Sequence, residues 1–208
     1  MARVLILAAH PNWQLSRVNR VLLRAARAAS EESGANTIEV RDLYHLYPDF
    51  LIDVPREQEA LAAADLIVWQ HPIFWYSMPA LMKLWVDEVL ELGWAYGHSG
   101  THLAGKDLWL ATSTGGSAES YSPRDFNHYF FDAFLPPYEQ TAALCGLRWL
   151  PPLVLHGAAR VSDQALGEQA RIYAERLRTW PEWPEIAELQ NCPACVVPLD
   201  ARPREPEA

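Results

Sequence analysis

Lysine is scarce in this chain: Lys83 and Lys106 are the two present, and the arginines that supply the other cations form no dense basic stripe. With a formal charge of −9 over 208 residues, this argues against nucleic acid or an anionic membrane as the main partner. Cysteine is equally sparse. Cys145, Cys192 and Cys195 cannot all pair within one chain, which points to a reducing, cytoplasmic setting. No apolar run approaches the length that crosses a bilayer. The run Arg3–Ala9 is too short for a secretory signal and leads into His10-Pro11 instead of a cleavage site. Neither G-x-G-x-x-G nor G-x-x-x-x-G-K-[ST] follows the first strand pattern, which disfavours a Rossmann dinucleotide site and a P-loop NTPase.

Apolar residues make up 50% of the chain and nine are tryptophan, enough to bury a substantial core in one domain. Val4–Ala9 is a continuous apolar run, the pattern of a strand covered on both faces. Further strands are expected over Thr37–Leu43, Leu66–Trp69, Asp107–Ser113 and Leu153–His156. Helical spacing predicts helices over Val18–Glu32, Met78–Leu92 and Asp163–Trp180, with Phe126–Cys145 helical but interrupted at Pro136-Pro137. This alternation implies an α/β fold: a three-layer α/β/α sandwich with a five-stranded parallel sheet in the flavodoxin-like order 2-1-3-4-5. Residues 1–180 are expected to form that domain. Residues 181–208, acidic and punctuated by prolines, are expected to form an extended tail.

In such a sheet the loops after the first, third and fourth strands open on one edge, where ligands bind. The first is His10–Asn19. Ser16 suits the cap of the following helix, whose free N–H groups attract an anion, while Arg17 adds charge and Asn19 an amide donor. The second, Gln70–Pro79, is dense in aromatic faces and short of charge, as suits a large, flat, apolar ligand. Taken alone, Phe74, Trp75 and Tyr76 fit core-edge or subunit packing equally well, and His71 fits a hydrogen-bonded structural role. The third is Ser113–Ser122, where Gly115-Gly116 lets the backbone approach a ligand. Three such loops on one rim say more than any one of them. No metal site is expected: Cys192-Pro193-Ala194-Cys195 has no second C-x-x-C and lies in the Pro-rich tail.

These residues resemble the flavodoxin-like NAD(P)H:quinone oxidoreductases, and more closely the ancillary oxidoreductases of the glutathione-gated Kef potassium-efflux systems. The resemblance rests on Asp42-Leu43-Tyr44, Tyr47-Pro48-Asp49-Phe50, Asp65–Pro72, Trp75-Tyr76-Ser77, Lys83-Leu84-Trp85 and Gly93–Gly97, and it runs from about Val4 to Trp180. It implies FMN, with FAD as the alternative, and a homodimer with active sites between subunits. It also implies two-electron, ping-pong hydride transfer from NADH or NADPH to a quinone or other planar electrophile. By matching positions, His10, Ser16, Arg17, Val18 and Asn19 fall at the flavin phosphate. Ile73, Phe74, Trp75 and Tyr76 fall at the isoalloxazine, and Ser113, Thr114, Gly115 and Gly116 at its pyrimidine end. Tyr121 matches the family's catalytic tyrosine. At the family's catalytic histidine the gapless match is Asn127, and His128 is its neighbour.

A second reading, from another class, is a regulatory subunit that activates a Kef-type membrane antiporter from the inner face of the membrane, with redox turnover secondary. A one-electron flavodoxin carrier is disfavoured. The Tyr121 loop and the wide apolar face of Met78–Leu92, with Trp94 and Tyr96 beyond it, suit a dimeric two-electron enzyme better.

Overall fold

The computed structural model describes residues 2–31 and 36–189. Cys192 and Cys195 therefore lie outside the described residues, as does Glu32, the last residue expected in the first helix. Five strands form one parallel sheet: β1 (Arg3–Ala8), β2 (Thr37–Asp42), β3 (Leu66–Pro72), β4 (Asp107–Ser113) and β5 (Arg148–Leu155). Their order is β2-β1-β3-β4-β5, as the sequence alternation predicts.

The apolar runs are continuous because successive side chains point to opposite faces and both faces are covered. Leu5, Leu7, Ile67, Trp69, Leu108 and Leu110 face one core. There they meet α3 (Val54–Ala63), α4 (Ala80–Val89) and α5 (Pro136–Leu144) through Leu61, Trp85 and Tyr138. Val4, Ile6, Val68, Trp109 and Ala111 face the other, against α1 (Val18–Glu31) and α6 (Asp163–Thr179). The short α2 (Leu43–Leu46) follows β2, capped by Asp42.

Several local expectations are corrected. The helix α3 has no counterpart in the sequence reading, although Asp53 accepts the Arg56 N–H at 3.2 Å and Pro55 stands in the first turn. Strand β5 begins five residues before Leu153, running through Pro151-Pro152. An edge strand tolerates proline where the ladder is irregular, and the register with β4 shifts there between Trp109 and Ala111. Pro136-Pro137 opens α5 instead of interrupting it, since the first turn of a helix needs no N–H donors. Upstream, a 3-10 turn covers Phe131–Phe134 and residues 126–130 form a loop. Helix α4 is shorter than the pattern at both ends.

The packed chain also continues past the boundary expected after Trp180. Trp183 is buried against Trp109 and Ile186 is buried in the same core, and α7 spans Pro184–Leu189. The apolar spacing Trp183–Ile186 is one helical turn, which the abundance of proline obscured.

Beneath α4 lies a charged knot. The Glu57 carboxylate on α3 is fully buried, with 0% exposure. It accepts from Arg41 on β2, from the Tyr47 hydroxyl, and from Trp85 Nε1 on α4 at 3.0 Å. Four parts of the chain are thereby pinned under the helix that carries the second rim loop.

Candidate functional site

The carboxyl ends of β1, β3 and β4 enclose a cleft of about 240 Å3. Its wall takes His10 and Ser16–Asn19 from the first loop, Ile73 and Phe74 from the second, and Ser113–Gly115 from the third. Trp75, Tyr76 and Gly116, expected at the same place, do not line it. Ala158 and Ala159, from the loop after β5, do.

In the first loop His10 is 8% exposed and sits between the rings of Trp13 and Phe74, at 5.5 and 5.7 Å. Its Nδ1 accepts the Asn12 N–H at 3.0 Å, so the neutral ring carries its proton on Nε2. Burial lowers its pKa and favours that neutral form. Asn19 donates to Ser113 Oγ at 2.8 Å, tying α1 to β4, while its Oδ1 is buried with no partner. Behind it, the buried Gln70 donates to the Asn19 carbonyl at 2.9 Å and accepts from Tyr173 at 3.0 Å.

Two expectations for this loop change. Helix α1 starts at Val18, which puts Arg17 and not Ser16 at the cap position. Arg17, expected to meet an anion, lines the cleft but has its guanidinium committed to protein partners. It donates to the carbonyls of Ala158 and Val161 and pairs with Asp163 at 2.6 Å, clamping the loop after β5 against the cleft.

The second loop is a two-residue turn. Phe74 and Ser77 exchange both backbone hydrogen bonds, at 2.9 and 3.0 Å. Between them Trp75 and Tyr76 have φ of 49° and 62°, left-handed values that such turns normally give to Asn and Gly. Each costs about 1–3 kcal/mol, a strain typical of ligand sites. Trp75 is 92% exposed at the tip. The Tyr76 ring stacks on Phe134 at 4.9 Å, and its hydroxyl donates to Asn127 Oδ1 at 3.3 Å.

In the third loop the two glycines have different reasons. A Cβ on Gly116 would come within 2.6 Å of Ser120 Oγ and 3.3 Å of Tyr121, so this position permits the loop's own packing. A Cβ on Gly115 would meet nothing within 4 Å. Gly115 therefore faces open space in the cleft. Tyr121 is buried, with Phe131, Phe134 and His156 as its ring neighbours. His128 is not among them: it is exposed, with φ of 58°. Asn127, the gapless match, reaches the rim through Tyr76 and Ser120. His156, a ring neighbour of Tyr121 at the carboxyl end of β5, had no place in the sequence reading.

His71, on β3, has the structural role its burial suggests. It is fully buried, stacks on Tyr138 at 5.8 Å, and its Nδ1 lies 3.0 Å from the Pro72 carbonyl. The carbonyl accepts, so Nδ1 carries the proton and Nε2 is bare and without a partner. Burial pushes its pKa down to about 4 from an ordinary 6.5. The unfolded chain binds a proton in that window and the folded chain does not, so stability is full above the unfolded value and falls with pH below it. The expected loss approaches about 3 kcal/mol near pH 4. Urea unfolding of wild type and His71→Phe between neutral pH and pH 5 checks it; equal pH slopes in the two proteins would refute it.

Cys145 is buried, and burial raises its thiol pKa, the state of an inert structural cysteine. Among the described residues no group of three or more His, Cys, Asp or Glu side chains is placed to hold a metal ion. Among them, too, no helix is long and apolar enough to cross a membrane.

The sheet order agrees with sequence comparison: a family described as "Flavodoxin-like fold" matches residues 2–177. The chain belongs to this flavodoxin-like family. Among its relatives, the glutathione-regulated potassium-efflux system ancillary protein KefF of Salmonella schwarzengrund (strain CVM19633) is 48% identical over 180 residues. That match covers 86% of this chain and 97% of the relative. The general stress protein 14 of Treponema denticola, solved in complex with FMN, superposes with a TM-score of 0.76 at 37% identity, covering 84% of this chain and 97% of that one. An NADPH-quinone reductase from P. pentosaceus superposes with a TM-score of 0.70 at 26% identity, covering 86% and 98%.

Proposed function

We propose that this chain is an FMN-dependent NAD(P)H:quinone oxidoreductase. The observation that carries the reading is the cleft itself: three rim loops converge on open space over Gly115, with apolar walls from Ile73 and Phe74. The residues fit the group. The first turn of α1 and the Nε2–H of His10 suit a phosphate, and the neutral histidine donates without needing a counter-charge. The orphaned Oδ1 of Asn19, a residue lining the cleft, would be satisfied by a donor on a polar ligand edge. Backbone N–H groups of the turn at Gly115, which lines the cleft, would stabilise negative charge on the ring. Bound FMN supplies the hydride chemistry. The protein's own contribution would be orientation and exclusion of water, with Tyr121, buried beside Gly116, the candidate hydrogen-bond donor to a developing hydroquinone oxygen.

The FMN-bound relative and the quinone reductase support this reading. Exposed Trp75, Phe126, Tyr129 and Phe130 around the rim suit a second copy of the chain, and a homodimer belongs to the same proposal. Purified protein is expected to be yellow, to release FMN on denaturation, and to sediment as a dimer. Its flavin absorbance should bleach anaerobically with NADH or NADPH and return on adding a quinone. Colourless protein that takes up no flavin refutes the proposal.

The identity with KefF favours a second reading, an ancillary subunit of a Kef-type potassium-efflux antiporter. It differs in one outcome: a variant that binds flavin without turnover would still stimulate potassium efflux by such an antiporter.

A further inference from the structure

His156 is assigned to nothing in the scheme above, yet it touches the loop on which that scheme depends. It follows the last residue of β5 and packs against both Tyr121 and Phe131, with ring centroids 5.4 and 5.1 Å away. Its Nδ1 lies 2.9 Å from Thr114 Oγ1, and the same oxygen lies 2.7 Å from the Gly116 carbonyl. The Gly116 carbonyl also accepts the Gly157 N–H at 2.8 Å. The Thr114 N–H and carbonyl bond to Leu155 and Ala158, at 3.0 and 2.9 Å. The Thr114–Gly116 turn is thus stitched along its length to the segment that carries His156.

Proton counting fixes the direction of these bonds. A carbonyl cannot donate, so the single Thr114 hydroxyl proton lies toward Gly116. The reverse orientation would leave two bare oxygens facing each other at 2.7 Å. With that proton committed, the contact between Thr114 Oγ1 and His156 requires the proton of the imidazole. The neutral ring therefore carries hydrogen on Nδ1 and leaves Nε2 bare, the opposite of His10. Burial lowers the His156 pKa, with Glu119 and Asp132 drawing it back up, so the neutral ring prevails at neutral pH.

We propose that His156 is a positioning residue: its Nδ1–H, through Thr114 Oγ1 and the Gly116 carbonyl, holds the glycine turn in the shape that receives the planar ring of the ligand. This rests on the flavin reading for its purpose, but not for its geometry. His128, the histidine favoured by sequence position, has no such connection.

The asparagine amide can occupy the place of Nδ1 and the glutamine amide that of Nε2, so the two isosteres separate the roles. His156→Asn keeps a donor to Thr114 and is expected to bind FMN within about 3-fold of wild type. His156→Gln and His156→Ala lose that donor, and their FMN Kd is expected to rise roughly 10-fold. In the flavin-free wild type, long-range nitrogen–proton NMR correlations should show the His156 proton on Nδ1. A proton on Nε2, or an Asn variant as weak as Ala, overturns the proposal. If the wild type takes up no FMN, the flavin reading fails, and the NMR assignment still decides the His156 bond by itself.

Discussion

Gly115→Leu is expected to yield a protein that folds as well as wild type and holds no flavin. Gly115 shows no left-handed φ, so a side chain adds no backbone strain there, and its Cβ would touch no atom within 4 Å. The new side chain would stand in the cleft that His10, Asn19 and Phe74 also line. Without a ligand nothing is displaced, and unfolding should shift by less than about 0.5 kcal/mol. With FMN as the occupant, four added carbons fill the space needed by its ring, and the Kd is expected to rise by ~100-fold or more, about 3 kcal/mol. Thermal unfolding of the flavin-free protein and fluorescence titration with FMN read the two halves separately. A variant that binds FMN like wild type would place the ring elsewhere. Gly116→Ala is the contrasting case. Its clash with Ser120 and Tyr121 disturbs the loop itself, so stability and binding are expected to fall together.

Glu57→Ala is expected to be the most damaging single change in the fold, at about 3–5 kcal/mol. The carboxylate is fully buried and receives Arg41, Tyr47 and Trp85. Removing it strands a guanidinium that is itself buried and keeps Glu39 as its remaining partner, at 3.0 Å. Burial and the neighbouring Glu57 push the Tyr47 phenol up to about 12, so it stays a donor across the working pH range. A buried ion pair is poor evidence of net stabilisation, because an apolar replacement of the whole group is often as stable. The double variant Glu57→Leu with Arg41→Met is accordingly expected to recover most of the loss. Urea midpoints for the single and double variants test this. A Glu57→Ala loss below about 1 kcal/mol would show that water reaches the knot. The knot also joins α3 to α4, so loosening it should weaken the strained Trp75-Tyr76 turn that leads into α4.

Both predictions depend on how far each residue's partners lie along the chain. The alternation of strand and helix patterns was legible because it is local. Apolar runs such as Val4–Ala9 report burial on both faces, and the chain order of the elements then leaves few topologies open. Where local signals conflict, the reading slipped. Pro136-Pro137 reads as an interruption and the last strand pattern is legible only from Leu153, while a helix start and an edge strand each tolerate proline. Helix α3 escaped although its Asp53 cap and Pro55 are visible in the sequence.

The sequence alone determined that loops after β1, β3 and β4 share one rim and that each carries residues suited to a flat, phosphorylated ligand. It could do so because a parallel sheet sends those loops to one edge whatever their detail. The tertiary structure decided which side chains face the cleft. Arg17 turns to Ala158 and Val161, 141 and 144 residues away, and His156 reaches Thr114 across 42. Such partners are chosen by packing between distant segments, and the spacing of residues along the chain holds no record of that choice.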